Sequence, residues 1–261
     1  MSLLTVRGLT VRLGGKTLLD GIDLDLGAGE RLGLIGESGS GKSLTALAVL
    51  GLLPDGAEVG GSVRLDGTEL LGLDDRRMSR VRGERIAMVF QEPRTALNPL
   101  MRVGRQVAEP LRRHRGLSTR AAAARAVELI DSVGLPDPER AARAYPHQLS
   151  GGQLQRVGIA TALACDPALL LADEPTTALD VTVQADVLAL LDRLVDEHGT
   201  ALLFITHDLA VLARVARRVL VLGGGRVLEE GTLTDVLRAP THDYTRTLLA
   251  AARATSFTRE A

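Results

Sequence analysis

The stretch Gly36-Glu37-Ser38-Gly39-Ser40-Gly41-Lys42-Ser43 constrains this chain more than any other eight residues in it. It follows a short apolar run (31–35) and precedes a second one (44–53) that Pro54-Asp55-Gly56 ends, so it reads as the turn from a buried strand into a helix. Glycines at 36, 39 and 41 let the backbone close around a small anion with its N–H groups pointing inward. The helix beyond adds the positive end of its dipole. This is the P-loop pattern G-x-x-x-x-G-K-[ST], in which the lysine reaches the β- and γ-phosphates as a point charge and the final hydroxyl offers Mg²⁺ a hard oxygen. Of the 31 Lys and Arg residues only Lys16 and Lys42 are lysine, so a lysine retained at 42 points to a chemical requirement. A glycine-rich turn that binds nothing is the competing explanation, and the full eight-residue match sets it aside.

Elsewhere the chain alternates between strand and helix. Residues 3–13 and 22–26 show the period-two pattern of strands, and 103–143 carry Ala, Arg, Leu and Glu at helical spacing. The last third predicts strand 168–172, helix 181–198, strand 201–206, helix 209–216 and strand 219–222. Fully apolar strands alternating with helices imply a parallel sheet covered on both faces, hence an α/β fold, with a helical insertion between two strand-rich parts. With 45% hydrophobic and 24% charged residues and a net charge of -1, the chain has enough apolar material for a core and no charge excess opposing collapse. Near-neutrality also argues against a nucleic-acid binder. The longest apolar stretch, 44–53, falls short of the ~20 residues that span a bilayer. The start carries no basic-then-apolar leader, and the single Cys165 excludes a disulfide framework or cysteine cluster here, so a cytosolic compartment is expected.

A P-loop needs a carboxylate for the metal at the end of a neighbouring strand, and Asp173-Glu174 follow the apolar run 168–172. Asp173 would join the metal shell, while Glu174, facing the other way, would polarise an attacking water. Two acids after an apolar run are equally a solvated strand end, and the P-loop tips the balance. His207 follows strand 201–206 and would lie beside the phosphates if that strand neighbours the P-loop strand. His114, His147, His198 and His242 form no metal-ligand spacing. Leu149-Ser150-Gly151-Gly152-Gln153 reads as an N-cap with exposed glycine N–H groups opening a helix to residue 164, a second anion-binding helix terminus or a plain cap.

The order of residues 36–43, Gln91, 149–153, Asp173-Glu174, Ala178-Leu179-Asp180 and His207 resembles the ATPase subunit of ABC transporters over nearly the whole chain. The resemblance implies a P-loop NTPase core with an N-terminal antiparallel β subdomain and a helical subdomain, about 91–160, within one domain spanning 1–261. It implies that Gly36, Glu37, Ser38, Gly39, Ser40, Gly41, Lys42, Ser43 and Gln91 bind ATP. Ser43, Gln91 and Asp173 would serve Mg²⁺, Glu174 is the catalytic base, Lys42 assists, and His207 is the γ-phosphate switch. Ser150, Gly151, Gly152 and Gln153 would serve the ATP of an opposite subunit, with Asp180 at the dimer interface. ATP and Mg²⁺ are the implied cofactors. The implied partners are a second cassette, identical or homologous, two permease subunits and, indirectly, a solute-binding protein, with no nucleic acid. The expected place is peripheral, on the cytoplasmic face of the membrane.

Glu37, Phe90-Gln91-Glu92-Pro93-Arg94, Tyr145-Pro146-His147-Gln148 and Pro240-Thr241-His242-Asp243-Tyr244 are similar to the dipeptide, oligopeptide and nickel importer group. Peptide, nickel and metal chelate stay open as cargo. The lack of a cysteine-rich extension before Ala261 is similar to the shorter nickel-type subunits. Leu13 stands where the family commonly stacks adenine on an aromatic ring. A soluble ABC ATPase acting on ribosomes or DNA is the alternative, and such relatives usually carry two cassettes or a coiled-coil insertion.

Overall fold

The computed structural model describes residues 2–177 and 179–257, with side chains as far as 252; Ala178 and Ala261, named above, lie outside the described residues. In chain order the elements are β1 (Ser2–Leu13), β2 (Lys16–Gly27), β3 (Arg31–Ile35), α1 (Lys42–Leu50), β4 (Glu58–Leu65), β5 (Thr68–Glu69) and α2 (Asp75–Val81). Then come β6 (Ile86–Val89), α3 (Pro93–Ala96), α4 (Val103–His114), α5 (Thr119–Ser132), α6 (Pro138–Arg143) and α7 (Gly151–Leu163). The last stretch holds β7 (Leu169–Asp173), α8 (Val181–His198), β8 (Ala201–Thr206), α9 (Leu209–Val215), β9 (Arg218–Gly223), β10 (Arg226–Thr232), α10 (Leu233–Arg238) and α11 (Asp243–Phe257). Two compact units result, residues 1–78 with 201–261, and residues 79–200.

In the first unit β2, β1, β4 and β5 form an antiparallel sheet, the N-terminal β subdomain that the resemblance implied. The apolar residues of β1 change phase along the strand: Leu4 and Val6 face the core, then Leu9 and Val11, all fully buried. A bulge at Gly8, with φ +55°, makes the switch and shifts the register between Val6 and Leu9. Beta-four was not anticipated because Gly60 and Gly61 interrupt its alternation. Gly61 takes φ +94°, and a Cβ there would lie 2.4 Å from the Gly8 carbonyl oxygen, so only glycine admits this approach of β4 to β1.

Strand β3 runs parallel to both β8 and β9, buried from Leu32 to Ile35, as the apolar pattern predicted. One strand that the pattern did not give, β10, lies antiparallel to β9 through the two-glycine turn Gly224-Gly225. That hairpin is local, so no crossover is required. Behind it, Glu229 of β10 is only 8% exposed and accepts the Thr241 N–H at 2.8 Å and the His242 N–H at 3.1 Å. Burial works to raise its pKa, and these donors work against burial and prevail, so the carboxyl titrates below its ordinary range. Because the folded pKa is depressed, the stability it contributes is complete above the unfolded value of 4.5 and is lost as pH falls through the folded value. Thermal melts of Glu229→Gln against the parent protein should therefore show a gap in Tm that is widest near neutral pH and closes in acid. A gap independent of pH would count against this anchor.

In the second unit β6 pairs parallel with β7, Val89 opposite Ala172. Helices α4 to α6 cover the stretch 103–143 that helical spacing predicted. Arginines tie their loops to neighbouring helices: Arg156 Nη1 donates to the Val133 carbonyl at 2.7 Å and Arg193 Nη2 to that of Ser132 at 2.9 Å. Cys165 is fully buried, and burial pushes its thiol up in pKa, which disfavours thiolate chemistry. Among the described residues no helix is long and apolar enough to cross a membrane.

Candidate functional site

In the first unit, the glycines of the loop after β3 answer to close contacts. A Cβ on Gly36 would lie 2.2 Å from the Leu222 carbonyl oxygen, and one on Gly41 would lie 2.5 Å from Leu19 Cδ2. Gly41 also takes φ +107°, outside the range of L-residues, as does Gly39 at +81°. Helix α1 starts at Lys42 with no side-chain cap and no acidic residue in its first turn. Its leading N–H groups therefore face the loop as an anion cradle requires. Ser40 Oγ is buried and has no hydrogen-bond partner among the described residues, a polar atom suited to a ligand oxygen. Lys42 is 5% exposed, and its ammonium donates to the Gly36 carbonyl at 2.8 Å and the Glu37 carbonyl at 2.9 Å. Ser43 and residues 37–39 are exposed.

His207 meets the condition set for it by its strand. Beta-eight lies directly beside β3, with Thr206 opposite Ile35, so His207 and the P-loop leave adjacent strands at the same end. The turn is pinned on both sides: the Asp208 N–H donates to Thr206 Oγ1 at 3.0 Å, and Asp208 Oδ1 caps α9 through the N–H groups of Ala210 and Val211. His207 is thus exposed on a rigid strand-to-helix corner.

In the second unit, Asp173 closes β7 and is 6% exposed, while Glu174 leaves the strand at φ +44°. A non-glycine residue in that region is strained, and such strain gathers where a side chain must be aimed. Two donors converge on Glu174 Oε2: Gln91 Nε2 at 3.0 Å and Thr177 Oγ1 at 2.9 Å. Gln91 follows β6 just as Glu174 follows β7, so the parallel pairing of those strands brings them together across 83 positions. Thr177 was missed as a site residue. Its signal lay in the turn Glu174-Pro175-Thr176-Thr177, whose last N–H closes on the Glu174 carbonyl at 3.3 Å and returns the hydroxyl to the carboxylate.

The Ser150 turn is a full capping box. Gln153 N–H donates to Ser150 Oγ at 3.3 Å, and Ser150 N–H donates to Gln153 Oε1 at 2.9 Å. Gly151 and Gly152 occupy the positive end of α7. Gly152 has a packing reason too, since a Cβ there would lie 2.5 Å from Val183 Cγ1 in the first turn of α8. Asp180 caps that helix through the Val183 N–H at 3.0 Å. The approach to the turn is stiffened by the rings of Tyr145 and His147, stacked 5.7 Å apart, with Arg102 over Tyr145. Leu13, the residue in place of an aromatic ring, ends β1 half-buried opposite Lys16.

A family model described as "ABC transporter" matches residues 19–177, more than half of the chain. The chain belongs to the ABC transporter family. Its cassette is 48% identical over 236 residues to the oligopeptide transport ATP-binding protein OppD of Salmonella typhimurium, covering 90% of this chain and 70% of that one. It is 46% identical over 252 residues to OppD of Escherichia coli, covering 95% of this chain and 75% of that one. Among solved structures, the dimeric post-hydrolysis state of the ATP-binding cassette MJ0796 bound to ADP and Pi superposes with a TM-score of 0.77 at 33% identity, covering 88% of this chain and 98% of that one. The activity that goes with this ABC cassette is ATP hydrolysis.

The donors that the family resemblance assigned to Mg²⁺ suit that ion. Ser43 offers a hydroxyl, Asp173 a carboxylate, and Gln91 an amide oxygen, its NH₂ being the group that donates to Glu174. Among the described residues no group of three His, Cys, Asp or Glu could hold a metal. Magnesium held by a few hard oxygens plus substrate phosphates fits that chemistry.

Proposed function

We propose that this chain binds and hydrolyses ATP to drive uptake of a peptide through a membrane ABC importer. The observation that carries the reading is the carboxylate of Glu174, aimed by Gln91 and Thr177 in a chain that also holds an intact P-loop. Near 50% identity to two OppD proteins over nine-tenths of the chain supports peptide over nickel or a metal chelate as cargo. In this reading N–H groups of the loop other than that of Glu37, which goes to Tyr244, join the Lys42 ammonium in holding the phosphates. Glu174 takes a proton from the attacking water, and His207 hydrogen-bonds a γ-phosphate oxygen. Ser43, Gln91 and Asp173 would hold Mg²⁺, which when bound neutralises charge on the phosphates. Adenine would meet Leu13 where the family commonly offers an aromatic ring, which weakens stacking of the nucleobase.

Ser150, Gly151, Gly152 and Gln153 would face the nucleotide of a second cassette, with Asp180 at that interface, and the dimeric MJ0796 cassette supports such a pairing. Closure on ATP and reopening after hydrolysis would be transmitted to two permease subunits fed by a solute-binding protein. Contacts to the γ-phosphate made only in the closed state give ATP the differential affinity that shifts the equilibrium. We read 91–160 as the helical lobe that meets the permeases at the cytoplasmic face. The test is reconstitution of the cassette with its neighbouring permease and solute-binding proteins in vesicles. ATP-dependent uptake of a labelled oligopeptide is expected. Uptake of nickel alone, or recovery of the chain on ribosomes instead of with detergent-solubilised permease, would overturn the reading.

A further inference from the structure

The phosphate loop is reached from the far end of the chain. The N–H of Glu37 donates to the Tyr244 hydroxyl at 3.0 Å, a bond between residues 207 positions apart. Tyr244 stands in the first turn of α11, and its ring lies over the end of β9: a Cβ on Gly223 would come within 3.3 Å of Tyr244 Cε1. Glycine at 223 makes room first for Leu228, whose Cδ1 would lie 2.5 Å from that Cβ, and also for the ring. One residue earlier, the Leu222 carbonyl is the group pressed against Gly36. The tyrosine consequently packs on the same strand end that shapes the start of the loop.

Its own footing is firm. Glu229 holds the N–H groups of Thr241 and His242. The Tyr244 N–H donates to His242 Nδ1 at 3.1 Å, and Arg246 Nη2 closes on the Thr241 carbonyl at 3.1 Å. Next to Tyr244, Thr245 is 1% exposed and Leu249 is 6% exposed, so the helix is seated through its buried side.

The Glu37 residue is thus gripped from two directions. Its N–H goes to Tyr244, and its carbonyl accepts from Lys42 at 2.9 Å. We propose that Tyr244 is a positioning residue for the phosphate loop, fixing the Glu37 backbone that in turn sets the Lys42 ammonium. This deepens the ATPase reading and rests on it. The role belongs to the hydroxyl. Without it the Glu37 N–H turns to water, the first turn of the loop gains freedom, and ordering the loop around phosphate costs more.

The test compares Tyr244→Phe with the parent full chain, since phenylalanine keeps the ring over Gly223 and removes only the oxygen. ATP affinity by calorimetry should fall roughly three- to ten-fold, the range of one net hydrogen bond. The KM for ATP should rise by a similar factor with kcat nearly unchanged, and Tm should move little. Hydrogen exchange in a peptide covering 36–43 should quicken. A purely structural tyrosine would lower Tm and leave the affinity of the folded protein as it was. Parent-like affinity in the folded variant overturns the proposal, whatever the exchange rate. Failure of the parent protein itself to bind ATP would overturn the underlying ATPase reading instead.

Discussion

Glu174→Gln is expected to leave ATP binding at its parent level while turnover falls by roughly 10²- to 10⁴-fold, the usual loss when a general base is removed. Glutamine matches glutamate in shape, and its amide oxygen can still accept from Gln91 and Thr177, so the turn after β7 should stand. What the amide lacks is a lone pair basic enough to take the proton of an attacking water. Phosphate release under saturating ATP reads the turnover, and calorimetry reads the binding. A dimer that persists on gel filtration with ATP, and dissociates only slowly, is expected of the variant. Unchanged turnover would remove Glu174 from the role of base. A variant that fails to bind ATP would instead assign the carboxylate to the integrity of the turn.

Lys42→Ala should weaken ATP binding roughly ten- to a hundred-fold, as expected for loss of a charge-assisted hydrogen bond of about 1.5–3 kcal/mol. The side chain also has an internal duty, because its ammonium ties the carbonyls of Gly36 and Glu37 together. Lys42→Met separates the two effects by keeping most of the buried stem. Both variants should lose affinity, and the alanine protein should also melt earlier. Parent-like affinity in the folded methionine variant would mean that the loop does not cradle phosphate through this residue.

Much of the molecule was legible in local patterns. Strands β3 and β8 and helix α8 fall at the residues where apolar runs and their flanking polar residues place them. These elements are buried on defined faces, so burial writes a period into the sequence that can be read without knowing the neighbours. The P-loop was equally legible because its glycines, lysine and serine act through consecutive backbone atoms. The cap at Ser150 was legible from a serine set before two glycines that open a helix, and the structure adds the reciprocal bond from Gln153. Beta-four and β10 were not legible. Glycines at 60, 61 and 231 and adjacent charges at 229 and 230 disrupt their alternation, and these strands exist because their partners hold them.

By itself the sequence determined the α/β character, the phosphate loop, the acidic strand end and the family to which the chain belongs. The tertiary structure alone decided that β8 lies next to β3, that Gln91 and Thr177 share one oxygen of Glu174, and that Tyr244 reaches Glu37. The physical reason is range. Propensity, burial period and turn chemistry act within a few residues, whereas a hydrogen bond between positions 37 and 244 depends on the strand order that closes the intervening chain, and no local pattern encodes it.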